Sequence, residues 1–285
     1  MQARVVLAPG VPDLAALGAE GAVDVLGVEN GQLLEEPRAE LLEEGPGERL
    51  LRCPLPGTPG EEGGLTGAPR GAGTGHVHLR RYSRAGLGEI LRSRLGHPRS
   101  ASLAEREWNL FCKLRDGGVS TPELLAVVAQ ASPAPWSSRS AIVLREADPL
   151  ALLPDWLAEA RGRRRAIGLG AVGHALARVA RTGVELPELR ASHIGLAEAP
   201  ADDCISETVQ LLRAGTRSRM RSTPEVLVTD VRGGRLGRPD PAGVRQLLER
   251  VEVGLELDRR DRLRLWRAAL GSEALRAACK ASPAG

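Results

Sequence analysis

A few side chains in this sequence have the types and spacing that chemistry needs. Arg80 closes HVHLR (76–80), which alternates like a strand. Glu107 lies inside SLAEREWNLFCKLR (102–115), on the same side as Leu103, Leu110 and Leu114. Glu188 and His193 fall in the polar stretch RTGVELPELRASHIGL (181–196), and Asp230 closes the apolar run VLVTD (226–230). Ahead of them all, Gly71, Gly73 and Gly75 space out GAGTG (71–75). A glycine run can wrap a phosphate through its backbone N–H groups, with Gly73 and Gly75 as contact positions. A cation on a strand neutralises phosphate charge, a loop carboxylate accepts the proton of a hydroxyl, and a strand-ending carboxylate holds magnesium.

These residues need elements to hold them. Residues 54–75 are rich in Gly and Pro and read as a loop or linker. The stretch 83–95 reads as a helix with Leu87, Ile90 and Leu91 on one side. The helix over 102–115 is the clearest: Ser102 is its N-cap, Glu105 completes a capping box, and Asp116-Gly117-Gly118 stops it. Residues 119–128 and 140–145 read as two strands joined by a Pro- and Ser-rich turn. Helices follow over 154–160 and 164–182, then the polar loop, the strand 226–230, and helices over 240–253 and 259–270. Residues 1–45 read as irregular, with a strand and a short helix.

Strands therefore dominate the first half and helices the second. The expected class is α+β in two lobes. A small β-sheet lobe with one main helix comes first and a larger, mainly helical lobe follows. The expected divisions are a divergent N-terminal segment (1–50), the sheet lobe (51–146), the helical lobe (147–275) and a tail (276–285). The helical lobe holds the loop 183–196 and the strand 226–230.

Composition narrows the classes. A chain of 285 residues with 42% hydrophobic and 26% charged residues can bury a substantial core. A net charge of +3 and 2% aromatic residues argue against a nucleic-acid partner. Cys53, Cys112, Cys204 and Cys279 lie far apart, so no CxxC metal or disulfide framework is expected. No long apolar run suggests a membrane span, and a reduced cytoplasmic setting is expected. Lysine occurs only at Lys113 and Lys280, so any mechanism needing a lysine must use one of those.

The order of parts is the one used for phosphoryl transfer in protein-kinase-like folds. Locally, LRRYSRAGLGEILRSRL, AEREWNLFCKLRDGGVSTPELLAV and ELRASHIGL resemble the lipopolysaccharide kinase family, the Kdo and heptose kinases of the outer-membrane core. The resemblance covers about residues 70–270, with nothing in 1–50 to match. It implies ATP and Mg2+ as cofactors and a glycolipid or sugar hydroxyl as acceptor. Arg80 takes the place of the strand lysine on the nucleotide phosphates, and Glu107 is its helix partner. In the catalytic loop the family His falls at Leu186 and the catalytic Asp at Glu188. His193 matches a metal or phosphate ligand and Asp230 the magnesium ligand, with Arg232 near the following basic position.

Arg for Lys keeps charge but not shape. Glu for Asp keeps a similar pKa, but its extra methylene moves the oxygens by about 1 Å, and such a misplacement can cost on the order of 100-fold. Three readings stay open. They are an active sugar kinase, a pseudokinase that binds nucleotide or a partner without catalysis, and an unrelated two-lobed binding protein. The basic stretches 161–165 and 259–264 are candidates for an anionic membrane. A glycolipid acceptor would make peripheral contact with the inner face of the cytoplasmic membrane sensible.

Overall fold

The structure is a computed structural model; it describes residues 4–7, 28–29, 32–33, 40–45, 47–54, 76–83, 102–130, 139–146, 150–197 and 223–281. The chain divides into two compact units. One comprises Met1–Cys112 with Pro122–Asp148, the other Lys113–Thr121 with Pro149–Gly285.

The first unit is built on an antiparallel sheet. Its strands are β1 (Arg4–Leu7), β4 (Glu40–Gly45), β5 (Glu48–Pro54), β6 (His76–Ser83), β7 (Leu124–Gln130) and β8 (Arg139–Arg145). A small hairpin of β2 (Val28–Glu29) and β3 (Gln32–Leu33) stands apart from it. The order across the sheet is β1-β7-β8-β6-β5-β4. β7 and β8 read as apolar runs rather than alternations, and Leu124 to Val128 and Ser140 to Leu144 are all buried. Both faces of these central strands are therefore covered. β6 is covered on both faces as well. Val77 and Leu79 point to one face, beside Cys53 and Leu51 of β5, and Arg80 and Tyr82 to the other.

The sheet draws in more of the N-terminus than the sequence grouping gave it. β1 pairs with β7 from Arg4↔Ala129 to Leu7↔Ala126, and β4 pairs with β5. Residues 4–7 and 40–45 thus belong to the same sheet as 51–54 and 76–83, and no break in it falls at residue 50. Of the stretch 1–45, read as irregular with a strand and a short helix, the described residues are strands, and short apolar runs such as Val5-Val6 find a partner far along the chain.

One helix, α1 (Leu103–Asp116), follows. Its N-terminus is set by two local contacts. The Ser102 hydroxyl accepts from the Glu105 N–H at 3.2 Å and donates to the Glu105 carboxylate at 3.0 Å. The Ala104 N–H also donates to Ser140 Oγ of β8 at 3.4 Å, which ties the start of the helix to the sheet. Gly118 ends it at φ 72, a conformation that costs glycine little. The expected helix over 83–95 lies outside the described residues, except that Ser83 is the last residue of β6.

The second unit opens with β9 (Leu150–Leu152), α2 (Leu153–Glu159) and the long α3 (Gly162–Thr182). Then come β10 (Val184–Glu185), a 3-10 turn (Ala191–His193), β11 (Ile194–Ala197), β12 (Glu225–Val228) and β13 (Arg235–Leu236). A second 3-10 turn (Pro241–Gly243) leads into α4 (Val244–Glu252), and α5 (Arg259–Ala281) closes the unit, broken at Gly271. β11 lies between β12 and β9, and β10 pairs with β13. α3 forms the core: Leu169, Val172, Leu176 and Val179 are buried, and each such side chain contributes about 1.5–3 kcal/mol. α5 packs on it so closely that a Cβ at Gly173 would stand 2.5 Å from the Leu265 carbonyl. Arg165 adds a 2.5 Å ion pair to the buried Asp261. Among the described residues no helix is long and apolar enough to cross a membrane.

Candidate active site

In the first unit, β6 and α1 bring together two of the expected residues. Arg80 Nη1 donates to Glu107 Oε2 at 3.0 Å, and both side chains are about 6% exposed. The contact needs both elements: β6 presents Arg80 next to Tyr82, and the Ser140 anchor holds the first turn of α1, one turn before Glu107. Arg80 Nε also approaches Glu48 Oε1 of β5 at 3.6 Å. Burial, then the negative charge of Glu107, pushes the Tyr82 phenol well above its usual range. On the same strand, burial lowers His78 against the opposing pull of Glu146. The Lys113 side chain is exposed.

Gly73 and Gly75 lie outside the described residues.

In the second unit the loop 183–196 begins at Gly183, whose φ of 76 ends α3. Leu186, at the family His position, is 1% exposed, and Leu189 is buried beside it in sequence. Apolar packing therefore holds this part of the loop. The Leu186 carbonyl accepts from Arg250 Nη1 of α4 at 3.1 Å. Glu188 is exposed.

The pairing of β11 with β12 explains how His193 and Asp230 meet. Ile194 stands opposite Val228, and the strands run antiparallel. The residue before Ile194 and the residues after Val228 therefore fall at the same end of the ladder. The Thr229 N–H donates to the His193 carbonyl at 2.9 Å, and His193 Nε2 lies 3.7 Å from Asp230 Oδ2. On the far side of β12, Val228 N–H donates to the Ser120 carbonyl at 3.0 Å, so the stretch after α1 steadies the strand.

Asp230 is 5% exposed and bears a cation already. The Arg232 backbone N–H donates to Oδ1 at 2.9 Å and Arg232 Nε to Oδ2 at 2.6 Å. The turn that follows contains Gly233, at φ 66, and the Glu188 carboxylate rests over it. A Cβ at Gly233 would stand 2.6 Å from Glu188 Oε1. Glu188, His193 and Asp230 are thus gathered around one turn of the second unit. Among the described residues no group of three His, Cys, Asp or Glu side chains is spaced to hold a metal ion by itself.

Sequence reasoning missed Tyr82, Glu48, Gly233 and Arg250. Strand alternation would have found Glu48, which stands directly opposite Tyr82. Gly233 and Arg250 carry no local signal, since their roles depend on contacts across the fold.

The fold is shared with a solved structure, WaaP in complex with acyl carrier protein. The two agree with a TM-score of 0.57 at 19% identity, covering 97% of this chain and 94% of the other. The model of the lipopolysaccharide kinase (Kdo/WaaP) family matches residues 59–223. The chain belongs to the lipopolysaccharide kinase (Kdo/WaaP) family. Among curated proteins, none matches.

Proposed function

We propose that this chain is an ATP- and magnesium-dependent kinase. It transfers a phosphoryl group to a sugar hydroxyl of the lipopolysaccharide core or a related glycolipid. Family membership supports the reaction class, and the two compact units are read as the small and large lobes of a kinase-like fold. The observation that carries the reading is the gathering of Asp230, His193 and Glu188 around one turn.

The donor set fits. Magnesium is usually held by one or two carboxylates together with substrate phosphates. Asp230 offers a buried carboxylate in a place that already attracts a cation, with Arg232 Nε at 2.6 Å. The His193 imidazole suits a phosphate oxygen better than magnesium, which prefers oxygen ligands. Bound magnesium would neutralise charge on the transferring group. Glu188 orients the acceptor hydroxyl and accepts its proton. Arg80, fixed by Glu107, gives positive charge to the nucleotide, and Gly73 and Gly75 give backbone N–H groups. We read the protein as cytoplasmic and peripheral at the inner face of the cytoplasmic membrane, where a glycolipid acceptor would be met.

A second reading, a pseudokinase, is favoured by one observation: Arg232 engages both Asp230 oxygens. The experiment that separates them is thermal shift with ATP and Mg2+, followed by ATP turnover with a lipopolysaccharide-core glycolipid. Stabilisation plus turnover supports the kinase. Stabilisation without turnover supports the pseudokinase, and neither effect counts against both.

A further inference from the structure

We propose that the second unit holds a separate binding site for a sugar phosphomonoester, set against the backbone of the catalytic loop. A cleft of about 300 Å³ is lined by Glu185, Leu186, Arg235, Arg238, Asp240 and Arg250, among others. It lies between the β10–β13 pair and α4.

Three arginines and two carboxylates line it, and the contacts among them decide what charge is left for a ligand. Glu185 is taken by Arg235 through an ion pair. Asp240 turns toward the backbone, where its Oδ1 accepts the Ala242 N–H at 2.9 Å. Arg250 spends Nη1 on the Leu186 carbonyl at 3.1 Å. Arg238 is exposed, and no carboxylate pairs with it among the described residues. The cleft therefore presents Arg238 and the rest of the Arg250 fork; Glu185 is neutralised by Arg235, and the one carboxylate left, Asp240, is outnumbered by these two cations. Guanidinium forks match the oxygens of phosphate, and two of them on one anion give charge-assisted bonds. The volume sits at the lower end of small-molecule sites and exceeds what a bare phosphate fills. The remaining room suits a hydroxyl-bearing ring beside the polar side chains Gln246 and Asp240 of the lining. A bound phosphate on Arg250 would also fix the Leu186 carbonyl, two residues before Glu188. That consequence for turnover rests on the kinase reading; the binding itself does not.

Isothermal titration calorimetry on the full chain tests the binding without any turnover. Glucose 6-phosphate is expected to bind saturably, inorganic phosphate more weakly and glucose not at all. Arg238→Ser and Arg250→Gln should each weaken glucose 6-phosphate by about tenfold. Arg163→Ser, an exposed arginine elsewhere, should leave it unchanged. Arg238 is exposed, so its variant keeps the test valid if Arg250→Gln fails to fold. No saturable binding, or binding that both cleft variants leave intact, overturns the site. Equal affinity for inorganic phosphate and glucose 6-phosphate overturns the sugar part of the assignment.

Discussion

Arg80 on β6 donates to Glu107 on α1 across 3.0 Å, 27 residues apart in sequence, and both side chains are buried. The pair locks strand to helix within the first unit. Breaking one partner of a buried ion pair leaves an uncompensated charge and costs about 3–5 kcal/mol. Arg80→Leu and Glu107→Leu should each lose on that order of stability in urea denaturation. The double variant, which removes both charges of the pair and leaves only the half-buried Glu48 without the Arg80 cation, should recover most of it. Additive losses in the double variant would mean that the two side chains do not act as a pair.

Gly233 leaves room for the Glu188 carboxylate. Alanine there must adopt a left-handed backbone, at about 1–2 kcal/mol, and place a methyl within 2.6 Å of Glu188 Oε1. Gly233→Ala is expected to lower kcat more than it raises KM. Shortening the carboxylate in Gly233→Ala/Glu188→Asp should restore part of the rate, a coupling that independent sites do not show. Steady-state kinetics on the four proteins checks it.

Arg232 would compete with a bound metal for the two Asp230 oxygens. Asp230→Ala should reduce turnover by about 100-fold or more, as loss of a preorganised charge does. Arg232→Ala should instead lower the magnesium concentration needed for half-maximal turnover, because the carboxylate loses its internal cation. A magnesium titration of each variant reads this directly. An unchanged midpoint in Arg232→Ala would show that the guanidinium does not oppose the metal.

Tyr82 is the chain's single tyrosine, so its ionisation can be followed by absorbance without overlap from another phenol. Burial raises its folded pKa above the unfolded value, which is about 10. The stability it contributes is therefore complete below about pH 10 and is lost as pH rises beyond that. The wild-type chain should lose stability faster than Tyr82→Phe over the alkaline range. Parallel slopes in the two proteins would rule out this titration as the cause.

The parts legible in the sequence were those with local signals. Ser102 and Glu105 announced the start of α1, and Gly117-Gly118 its end. Alternation found β6, and the apolar run 226–228 found β12, with Asp230 beyond it. The family assignment rested on such stretches. What was hidden depended on distant partners. The pairing of Arg4–Leu7 with β7 spans most of the first unit in sequence, and nothing near Val5 foretells it. The burial of Leu186, and the Arg250 donor on its carbonyl, depend on α4, far along the chain. The contact of Glu188 with Gly233 joins two loops that no spacing rule connects.

The register of β11 and β12 separates two ends of one short ladder. Ile194 and Val228 stand at the end next to His193 and Asp230, while Ala197 and Glu225 close the opposite end. The chain between Ala197 and Glu225 leaves and returns at that opposite end. The pairing of the two strands by itself therefore keeps His193 beside Asp230, at the end of the ladder away from the point where the chain leaves β11 and enters β12.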